Sequence, residues 1–426
     1  MKKMKISLIQ PGRNNLKYLK WSYDSIRKNQ GNHEVQICVA DDASTDGTWD
    51  WCLEMIDKDP HFNAIKNKGP ERLGHTILYD RLVNEVAHHD ICMIYHADMY
   101  LCPGALDEIE KHMYLKNVVT GDAVYENYPK EKTIVSLTRI EPPLHPAGPE
   151  KVLVDFGIEP EEFREDDFLE WYNNTHLPTM GEKTTEGIFA PWAFYKSEFE
   201  EIKGHDPLYA PQSKEDSDIF NRFQLNGIKF IQTWEGCVYH MTCRGSRFAD
   251  GAVRNPNGEV FMKNRETDEW LTQNQKATRN FIRKWGHFVK HDRFLKPIIP
   301  PKYDIGFIIK NGSMQLLEAL EPWCSTIYID DANGNQYTQY VEKEQPNTII
   351  DLSERIKPYD NEKNNEILVT IDGNNFLQHD FGYIQQLPEI LADSGEPGFH
   401  GELGNITVEI FEKINTYEKD LIICKS

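Results

Sequence analysis

Apolar residues recur along the N-terminal part of the chain at two spacings, which predict alternating strands and helices. Continuous apolar runs at residues 6–9, 35–40 and 91–95 are typical of strands that are buried on both faces. Between them, apolar residues recur every three or four positions over residues 16–26 and 78–86, as on one face of a helix, and a further helix is predicted near Thr48. This order predicts an α/β fold with a largely parallel sheet and helices on its faces.

The pattern becomes irregular from about residue 120 to residue 185, which is rich in proline, glutamate and aromatic residues. We expect long loops over a site in this stretch. The apolar pattern resumes at residues 188–195, a helix closed by Gly227 is predicted over residues 213–226, and strand-like runs follow at residues 229–240.

A basic segment separates this part of the chain from the rest. Residues 276–302 hold eight Lys or Arg and one acid, and they end in the string PIIPP, which is typical of a boundary. A strand, a helix and a strand then follow, as at the start of the chain. We therefore predict three parts: a catalytic domain at 1–250, a basic helical extension at 251–302, and a smaller C-terminal α/β domain at 303–426.

Composition narrows the functional classes. The chain has 426 residues, with 47 Lys and Arg against 68 Asp and Glu, which gives a net charge of −21. Such a charge disfavours broad binding to nucleic acids or anionic membranes, although a local basic patch can override it. The eight cysteines form no C-x-x-C pair, and no apolar run reaches the roughly 18 residues that span a bilayer. We expect reduced thiols, no membrane insertion and a cytoplasmic location.

The first candidate motif is the string VADDASTDGT at residues 39–48, which begins at the end of a predicted strand. The carboxylates of Asp41 and Asp42 are suited to accept hydrogen bonds from a nucleobase or a ribose. The alternative interpretation is a turn followed by a helix cap, because Ser, Asp and Gly all favour turns and caps.

The second motif is the string YHADMY at residues 95–100, after another buried strand. An oxygen ligand from Asp98 suits Mn²⁺ or Mg²⁺. His96 has three open roles: it faces a ribose, coordinates the metal, or does neither. The structural alternative for Asp98 is to cap the helix that begins near Pro103.

The third motif is the string SKEDSDIFNR at residues 213–222. Glu215 and Asp216 offer a carboxylate for general base catalysis. In the structural alternative, Ser213 is a helix N-cap with Asp216 three residues later, and Asp218 forms an ordinary pair with Arg222.

The fourth motif is the string VYHMTCRGSR at residues 238–247. His240 is either a metal ligand or a histidine with a structural partner in the core. Arg244 and Arg247 lie on a Gly- and Ser-containing loop that can close on a diphosphate.

These strings, with Gly204-His205-Asp206 before the third, resemble in type and order the motifs of family 2 glycosyltransferases, which have the GT-A fold. The resemblance covers about residues 4–290. It implies an inverting enzyme in which Asp216 deprotonates the acceptor, Glu215 positions it, and Asp98 and His240 bind the metal. The nucleotide of a UDP-sugar donor is then expected to contact the following residues: Gln10, Gly12, Arg13, Asp41, Asp42, Arg72, His96, Arg244 and Arg247. His96 departs from the family pattern, which has an acid at that place.

Three shorter strings resemble bacteriophage-encoded glycosyltransferases: TRIEPPLHP at residues 138–146, APW at 190–192, and the segment 239–248. This resemblance implies an acceptor that is either a surface glycan or a modified, hydroxymethylated DNA base, and a host-cytoplasm location. The basic segment is interpreted either as a helix with one solvated cationic face or as a site where Arg279, Arg283 and Lys284 face a phosphorylated or polyanionic acceptor. Two rival classes are a sugar nucleotidylyltransferase, whose G-x-G-T-R loop is missing after the first strand, and a non-catalytic sugar-nucleotide-binding module. The sequence leaves the sugar, the acceptor and the oligomeric state open.

Overall fold

The computed structural model describes residues 4–113, 132–242, 252–262, 267–330 and 335–419. The chain divides into two compact units. The first runs to Leu271 and also takes in His291–Pro297, and the second comprises Thr272–Lys290 and the chain from Ile298 onwards. The boundaries predicted from composition stay predictions.

The first unit is built around one ten-stranded sheet. Its strands, together with the separate β11–β12 hairpin, are β1 (Lys5–Gly12), β2 (Glu34–Asp42), β3 (Phe62–Asn67), β4 (Ile91–Ile94), β5 (Met99–Leu101), β6 (Thr133–Glu141), β7 (Lys151–Leu153), β8 (Thr184–Thr185), β9 (Trp192–Tyr195), β10 (Lys229–His240), β11 (Ala252–Arg254) and β12 (Val260–Met262). Its helices are α1 (Leu16–Asn29), α2 (Thr48–Lys58), α3 (His75–Arg81), α4 (Ala105–Met113), α5 (Glu165–Trp171), α6 (Leu177–Met180), α7 (Lys196–Glu201) and α8 (Glu215–Leu225), and α9 (Asp268–Trp285) leads into the second unit.

The sheet has the order β3-β2-β1-β4-β9-β6-β10-β5, with β7 beside β6 and β8 beside β10. β1 to β4 are mutually parallel, and β9 is antiparallel to both β4 and β6. β6 and β10 therefore run in the same direction as β1, so the carboxyl ends of all these strands lie at one edge. This arrangement confirms the predicted α/β GT-A class.

Two parts of this sheet were not predicted. β3 was missed because its sequence, FNAIKN, contains few apolar residues. The expectation of long loops over residues 120–185 is wrong for β6, in which all nine residues are buried, and for α5. β6 was hidden because Thr, Ser, Arg and Glu interrupt its apolar pattern, and the structure pairs the charged ones, Arg139 and Glu141, with oppositely charged neighbours.

The second unit repeats the topology with which the first begins. Its strands are β13 (Ile305–Lys310), β14 (Thr326–Ile329), β15 (Ile356–Pro358), β16 (Ile367–Asp372), β17 (His400–Leu403) and β18 (Ile406–Ile410). Its helices are α10 (Met314–Leu320), α11 (Gln336–Glu344), α12 (Leu352–Arg355), α13 (Gln378–Ser394) and α14 (Thr416–Lys419). The order β15-β14-β13-β16 is parallel and is followed by antiparallel β18, just as β3-β2-β1-β4 is followed by antiparallel β9.

The basic segment forms internal ion pairs. Arg283 is 2% exposed, and its guanidinium lies 2.6 Å from both Glu321 and Glu344. Arg279 pairs with Glu344 at 2.7 Å, and Lys296 pairs with Glu186 at 2.5 Å. The expectation that Arg279 and Arg283 face an anionic acceptor is therefore wrong, because acidic side chains of the protein already neutralise both.

The described cysteines are all free and buried: Cys38, Cys52, Cys92, Cys102, Cys237 and Cys324. Burial raises the thiol pKa of Cys52 to about 12, which makes it an inert apolar side chain. Among the helices of the described residues, none is long and apolar enough to cross a membrane.

Candidate active site

The predicted site residues cluster where the carboxyl ends of the parallel strands meet. β1 ends at Gly12, β2 at Asp42, β6 at Glu141 and β10 at His240, and Asp98 follows β4 after a short turn. In open α/β sheets ligands bind at this edge, because the strand ends leave a crevice lined by the following loops.

A candidate metal centre lies at this edge. His96, Asp98 and His240 each offer one ligand atom, and these atoms all lie within 4.8 Å of one another. Burial and the charge of His240 lower the pKa of His96 to about 3, which keeps its imidazole neutral, the form that binds a metal. Two imidazoles and one carboxylate fit Mn²⁺ better than Mg²⁺, which prefers oxygen ligands.

Glu141 binds the ring nitrogen of His240 that does not face Asp98, a role that the sequence did not indicate. Its carboxylate accepts a hydrogen bond from His240 Nδ1 at 2.7 Å, and His240 Nε2 lies 3.3 Å from Asp98. Burial lowers the pKa of His240, but Asp98 and Glu141 together outweigh it and raise that pKa to about 9. Burial raises the pKa of Glu141, but the hydrogen bond from His240 and the charges of Arg139 and Lys151, each 3.3 Å away, outweigh it and hold that pKa well below its usual range. Such carboxylate–histidine pairs fix the orientation of metal-binding imidazoles.

The two adjacent aspartates of the first motif have different environments. Both oxygens of Asp42 accept hydrogen bonds, from the Leu73 amide at 3.0 Å and the Gly74 amide at 3.1 Å, and Asn67 donates another at 2.7 Å. Asp41 is fully buried, and only its Oδ1 has a partner, the Ser44 amide at 3.1 Å. Its Oδ2 has no partner among the described residues, so Asp41 has a carboxylate oxygen available for a ligand.

The remaining predicted nucleotide contacts lie around β1 and the loop before α3. Gln10 donates to Ser22 at 3.1 Å and leaves its carbonyl oxygen buried without a partner in the described structure. A Cβ at Gly12 would lie 2.7 Å from the side-chain amide of Asn15, so a larger residue there would force the Asn15 side chain to move. Arg13 and Arg72 line a cavity of about 550 Å³ and supply it with positive charge.

We predict that Asp41→Asn and Asp42→Asn have different effects. Asp41→Asn should weaken UDP binding by roughly 1–3 kcal/mol, the cost of a lost charged hydrogen bond, and leave the melting temperature close to wild type. Asp42→Asn should chiefly lower the melting temperature, because it anchors the loop at residues 67–74. Calorimetric titration and thermal melting of both variants check this. Unchanged UDP affinity in Asp41→Asn would leave the aspartates with only a turn and cap role.

Glu215 and Asp216, the acid pair of the third motif, follow two residues with an unusual backbone conformation. α8 begins at Glu215, and the two residues before it, Ser213 and Lys214, both have positive φ, 86° and 71°. Non-glycine residues in this region cost about 1–3 kcal/mol each and concentrate at functional sites. The predicted N-cap role of Ser213 is wrong, because the helix starts two residues later and its N-cap position makes no side-chain cap hydrogen bond.

Burial dominates the electrostatics of this pair. It raises the pKa of Asp216, an effect that the charges of His205 and Arg139 oppose, and with the Asp216 charge it raises the pKa of Glu215. The other acid in this helix, Asp218, is fully buried and bonded to Arg222 at 2.8 Å, so it has a structural role.

Two predicted contacts, Arg244 and Arg247, lie outside the described residues. Of the residues that sequence reasoning missed, Glu141 carried one usable signal. It lies in the string at residues 138–146, which resembled bacteriophage glycosyltransferases, but its pairing with the histidine 99 residues later could be seen only in the structure.

Comparison with known families bears directly on this edge of the sheet. Residues 7–177, which contain Asp41, His96, Asp98 and Glu141, match the model of Glycosyl transferase family 2. This segment, which is less than half of the chain, is similar to family 2 glycosyltransferases. The resemblance stated from the motifs is thereby confirmed for these residues, and the resemblance to bacteriophage enzymes stays a prediction.

No curated protein sequence matches the chain. Solved structures similar to it include the mannosyltransferase PcManGT from Pyrobaculum calidifontis in complex with GDP-Man and Mn²⁺, with 17% identity, a TM-score of 0.37, and coverage of 58% of this chain and 59% of that chain. S. aureus TarS 1–349 in complex with UDP-GlcNAc has 14% identity, a TM-score of 0.37, and coverage of 56% and 61%. The match thus spans less than two thirds of either protein, and similarities of this size do not identify the donor or the metal of the glycosyltransferase domain.

Proposed function

We propose that this chain transfers a sugar from a UDP-sugar to an acceptor hydroxyl, with inversion at the anomeric carbon. The observation that carries the proposal is the position of Arg139. It pairs with Glu141, which holds His240, and its charge also acts on His96 and Asp216. This supports the proposal that the candidate metal centre and the acid pair form one site.

Each side chain has a separate task in this proposal. Asp41 accepts a hydrogen bond from the nucleoside through its unpaired oxygen. Asp216, as its carboxylate, removes the proton from the acceptor hydroxyl, and Glu215 positions that hydroxyl. A divalent cation held by His96, Asp98 and His240 would supply positive charge that stabilises the leaving diphosphate. Arg13 and Arg72 add positive charge beside it.

A glycan hydroxyl is the acceptor class that fits. The chain carries a net charge of −21, and two arginines of its basic segment, Arg279 and Arg283, pair internally with Glu321 and Glu344. This weakens the support that the basic segment gave to a DNA acceptor, and the resemblance to bacteriophage enzymes is the other feature that favoured one. Assays should include both glycans and DNA with hydroxymethylated bases, and turnover of the DNA alone would reverse this assignment.

Asp98→Ala tests the metal-dependent part of the proposal. In wild-type protein, UDP should bind more tightly with Mn²⁺ than without it, because a cation held by His96, Asp98 and His240 would supply positive charge to the diphosphate. Asp98→Ala should abolish this difference, since it removes the one carboxylate among three ligands. Calorimetric titration of UDP with and without Mn²⁺ measures both values.

Asp166→Ala is the matched control, because Asp166 is exposed on α5 and has no role in the site. It should show the wild-type dependence on Mn²⁺. Retention of that dependence by Asp98→Ala would contradict the assignment of Asp98. Failure of wild-type protein to bind either UDP or GDP in the presence of Mn²⁺ would contradict the proposed function itself.

A further inference from the structure

Asn15 is a buried polar residue whose side-chain oxygen is left without a protein partner. It is 5% exposed, and its Oδ1 makes no hydrogen bond among the described residues. It occupies the N-cap position of α1, yet it makes no side-chain cap hydrogen bond there. Buried polar atoms of this kind are rare in folded proteins, because an unmade hydrogen bond costs free energy. At the carboxyl edge of the sheet, such an atom is a candidate contact for a bound ligand.

A neighbouring loop performs the capping that the Asn15 side chain does not. The Leu16 amide, the first of α1, donates to Asp46 Oδ2 at 3.0 Å. The same loop fixes the preceding residue, since the Asn14 amide donates to Ser44 Oγ at 2.9 Å. These bonds hold the start of the helix without the carboxamide of Asn15, so the stability of α1 does not require that side chain.

The Asn15 carboxamide packs directly on Gly12 at the end of β1. A Cβ at Gly12 would lie 2.7 Å from Asn15 Nδ2 and 2.8 Å from Oδ1, so the carboxamide fills the place of a side chain there. Gly12 pairs in register with Asp41 of the adjacent strand β2, and Asp41 Oδ2 is also without a partner in the described structure. Gln10, two residues before Gly12 and on the same face of β1, adds a third such oxygen, Oε1.

The order of the strands determines which part of a nucleotide lies beside Asn15. β1 lies between β2, which ends with Asp41 and Asp42, and β4, which is followed by His96 of the candidate metal centre. Neighbouring strands are about 4.8 Å apart, so the ends of β2 and β4 are about 10 Å apart. In a nucleoside diphosphate the ribose joins the base to the phosphates. With the base at Asp41 and the diphosphate at the metal centre, the ribose lies over the end of β1.

We propose that Asn15 binds a ribose hydroxyl of the donor nucleotide and makes the site selective for nucleotides that carry this hydroxyl. The inference rests on the proposed function, in which Asp41 contacts the nucleoside and the metal centre serves the diphosphate. A ribose hydroxyl both donates and accepts, so it can pair with either the oxygen or the nitrogen of the carboxamide. A uridine nucleoside has three donors, the N3–H and two ribose hydroxyls, which matches the three unpartnered oxygens of Gln10, Asn15 and Asp41.

The test is calorimetric titration of UDP, 2′-deoxy-UDP and 3′-deoxy-UDP in the presence of Mn²⁺. Wild-type protein should bind UDP about tenfold more tightly than at least one of the two analogues, because that analogue lacks the hydroxyl that pairs with Asn15. Asn15→Ala should bind UDP about tenfold more weakly than wild type and should bind that analogue and UDP equally. Its melting temperature should stay close to wild type, because Asp46 caps α1.

Three further variants make the test specific. Asn15→Asp keeps an acceptor oxygen in a side chain of the same size, so it should retain the preference for UDP over the analogue. Asn15→Leu removes the polar atoms at similar size, and it serves as the second variant if Asn15→Ala does not fold. Asn32→Ala is the matched control, because Asn32 is exposed and lies just before β2, at the amino end of the strand. It should leave all three affinities unchanged.

Equal affinity of wild-type protein for UDP and both deoxy analogues would overturn this inference. So would an Asn15→Ala variant that keeps the wild-type preference for UDP. Either result, together with Mn²⁺-dependent UDP binding that Asp98→Ala abolishes, would leave the proposed function intact. Failure of wild-type protein to bind UDP with Mn²⁺ would instead contradict the proposed UDP-sugar donor and this inference together.

Discussion

Asp216→Asn is expected to lower the kcat of UDP-sugar hydrolysis by about 10²–10⁴-fold, the usual contribution of a general base. The substitution keeps the shape of the side chain and removes only its ability to take a proton. UDP affinity should stay at the wild-type value, because the base contacts the acceptor. Steady-state kinetics with calorimetric titration measures both quantities.

The same substitution should not destabilise the fold. Because burial raises the Asp216 pKa, the folded chain binds a proton more readily than the unfolded chain. The stability that this contributes is complete below the unfolded pKa and is lost as the pH rises through the folded pKa. At neutral pH the neutral amide should therefore fold as well as the acid, with an equal or higher melting temperature.

Asp218→Asn is the matched control for that variant. Asp218 lies two residues further along the same helix, fully buried and bonded to Arg222 at 2.8 Å. Its loss leaves a buried guanidinium without its carboxylate, which costs about 3–5 kcal/mol of unfolding free energy. Each folded molecule should still turn over at close to the wild-type rate. If Asp216→Asn instead lowered the melting temperature and left the hydrolysis rate at the wild-type value, Asp216 would have a structural role and would not be the base.

Arg283→Met is expected to lower the unfolding free energy of the second unit by about 3 kcal/mol, at the lower end of the range for breaking a buried ion pair. Arg283 contacts both Glu321 and Glu344 at 2.6 Å. Glu321 is 1% exposed and keeps Arg355 at 2.9 Å after the substitution, which moderates the loss. Urea denaturation, followed by a signal from the second unit, measures the change.

Lys276→Met on the same helix is the control for Arg283→Met. The two substitutions introduce the same side chain, but Lys276 is only half-buried, so it should change the unfolding free energy by less than about 0.5 kcal/mol. Neither variant should alter the KM for the acceptor, since the ion pairs are internal. An acceptor KM raised by Arg283→Met at unchanged stability would restore the polyanion-binding interpretation of this segment.

The sequence predicted those parts of the fold that are built from uninterrupted apolar strands. β1, β2 and β4 are buried on both faces, and their runs of Ile, Val, Leu and Cys predict strands directly. β6 could not be recognised in this way, because Arg139 and Glu141 interrupt its apolar pattern and form an ion pair at 3.3 Å inside the sheet. A local sequence pattern shows which apolar residues are buried. It does not show which polar residues are buried when their partners are distant in the sequence.

The same limit applies to the candidate site. Asp98 and His240 could be proposed because each follows an apolar strand, and parallel strands bring their carboxyl ends together. Glu141 could not be assigned to His240, since 99 residues separate them in the sequence. Nor could Asp41 be distinguished from Asp42: their difference lies in the loop at residues 67–74, whose amides bind Asp42 alone.

The most direct test of the central claim is the release of UDP from a UDP-sugar by the full chain in the presence of Mn²⁺. A panel of UDP-sugars should be incubated with wild-type protein and with the Asp216→Asn variant, after calorimetric titration has shown that both bind UDP with the same affinity. We predict that at least one sugar is hydrolysed by wild-type protein, that turnover falls by about 10²–10⁴-fold in the variant, and that chelation of the metal stops it. UDP-sugar binding without hydrolysis or transfer by wild-type protein would contradict the claim and identify the chain as a sugar-nucleotide-binding module.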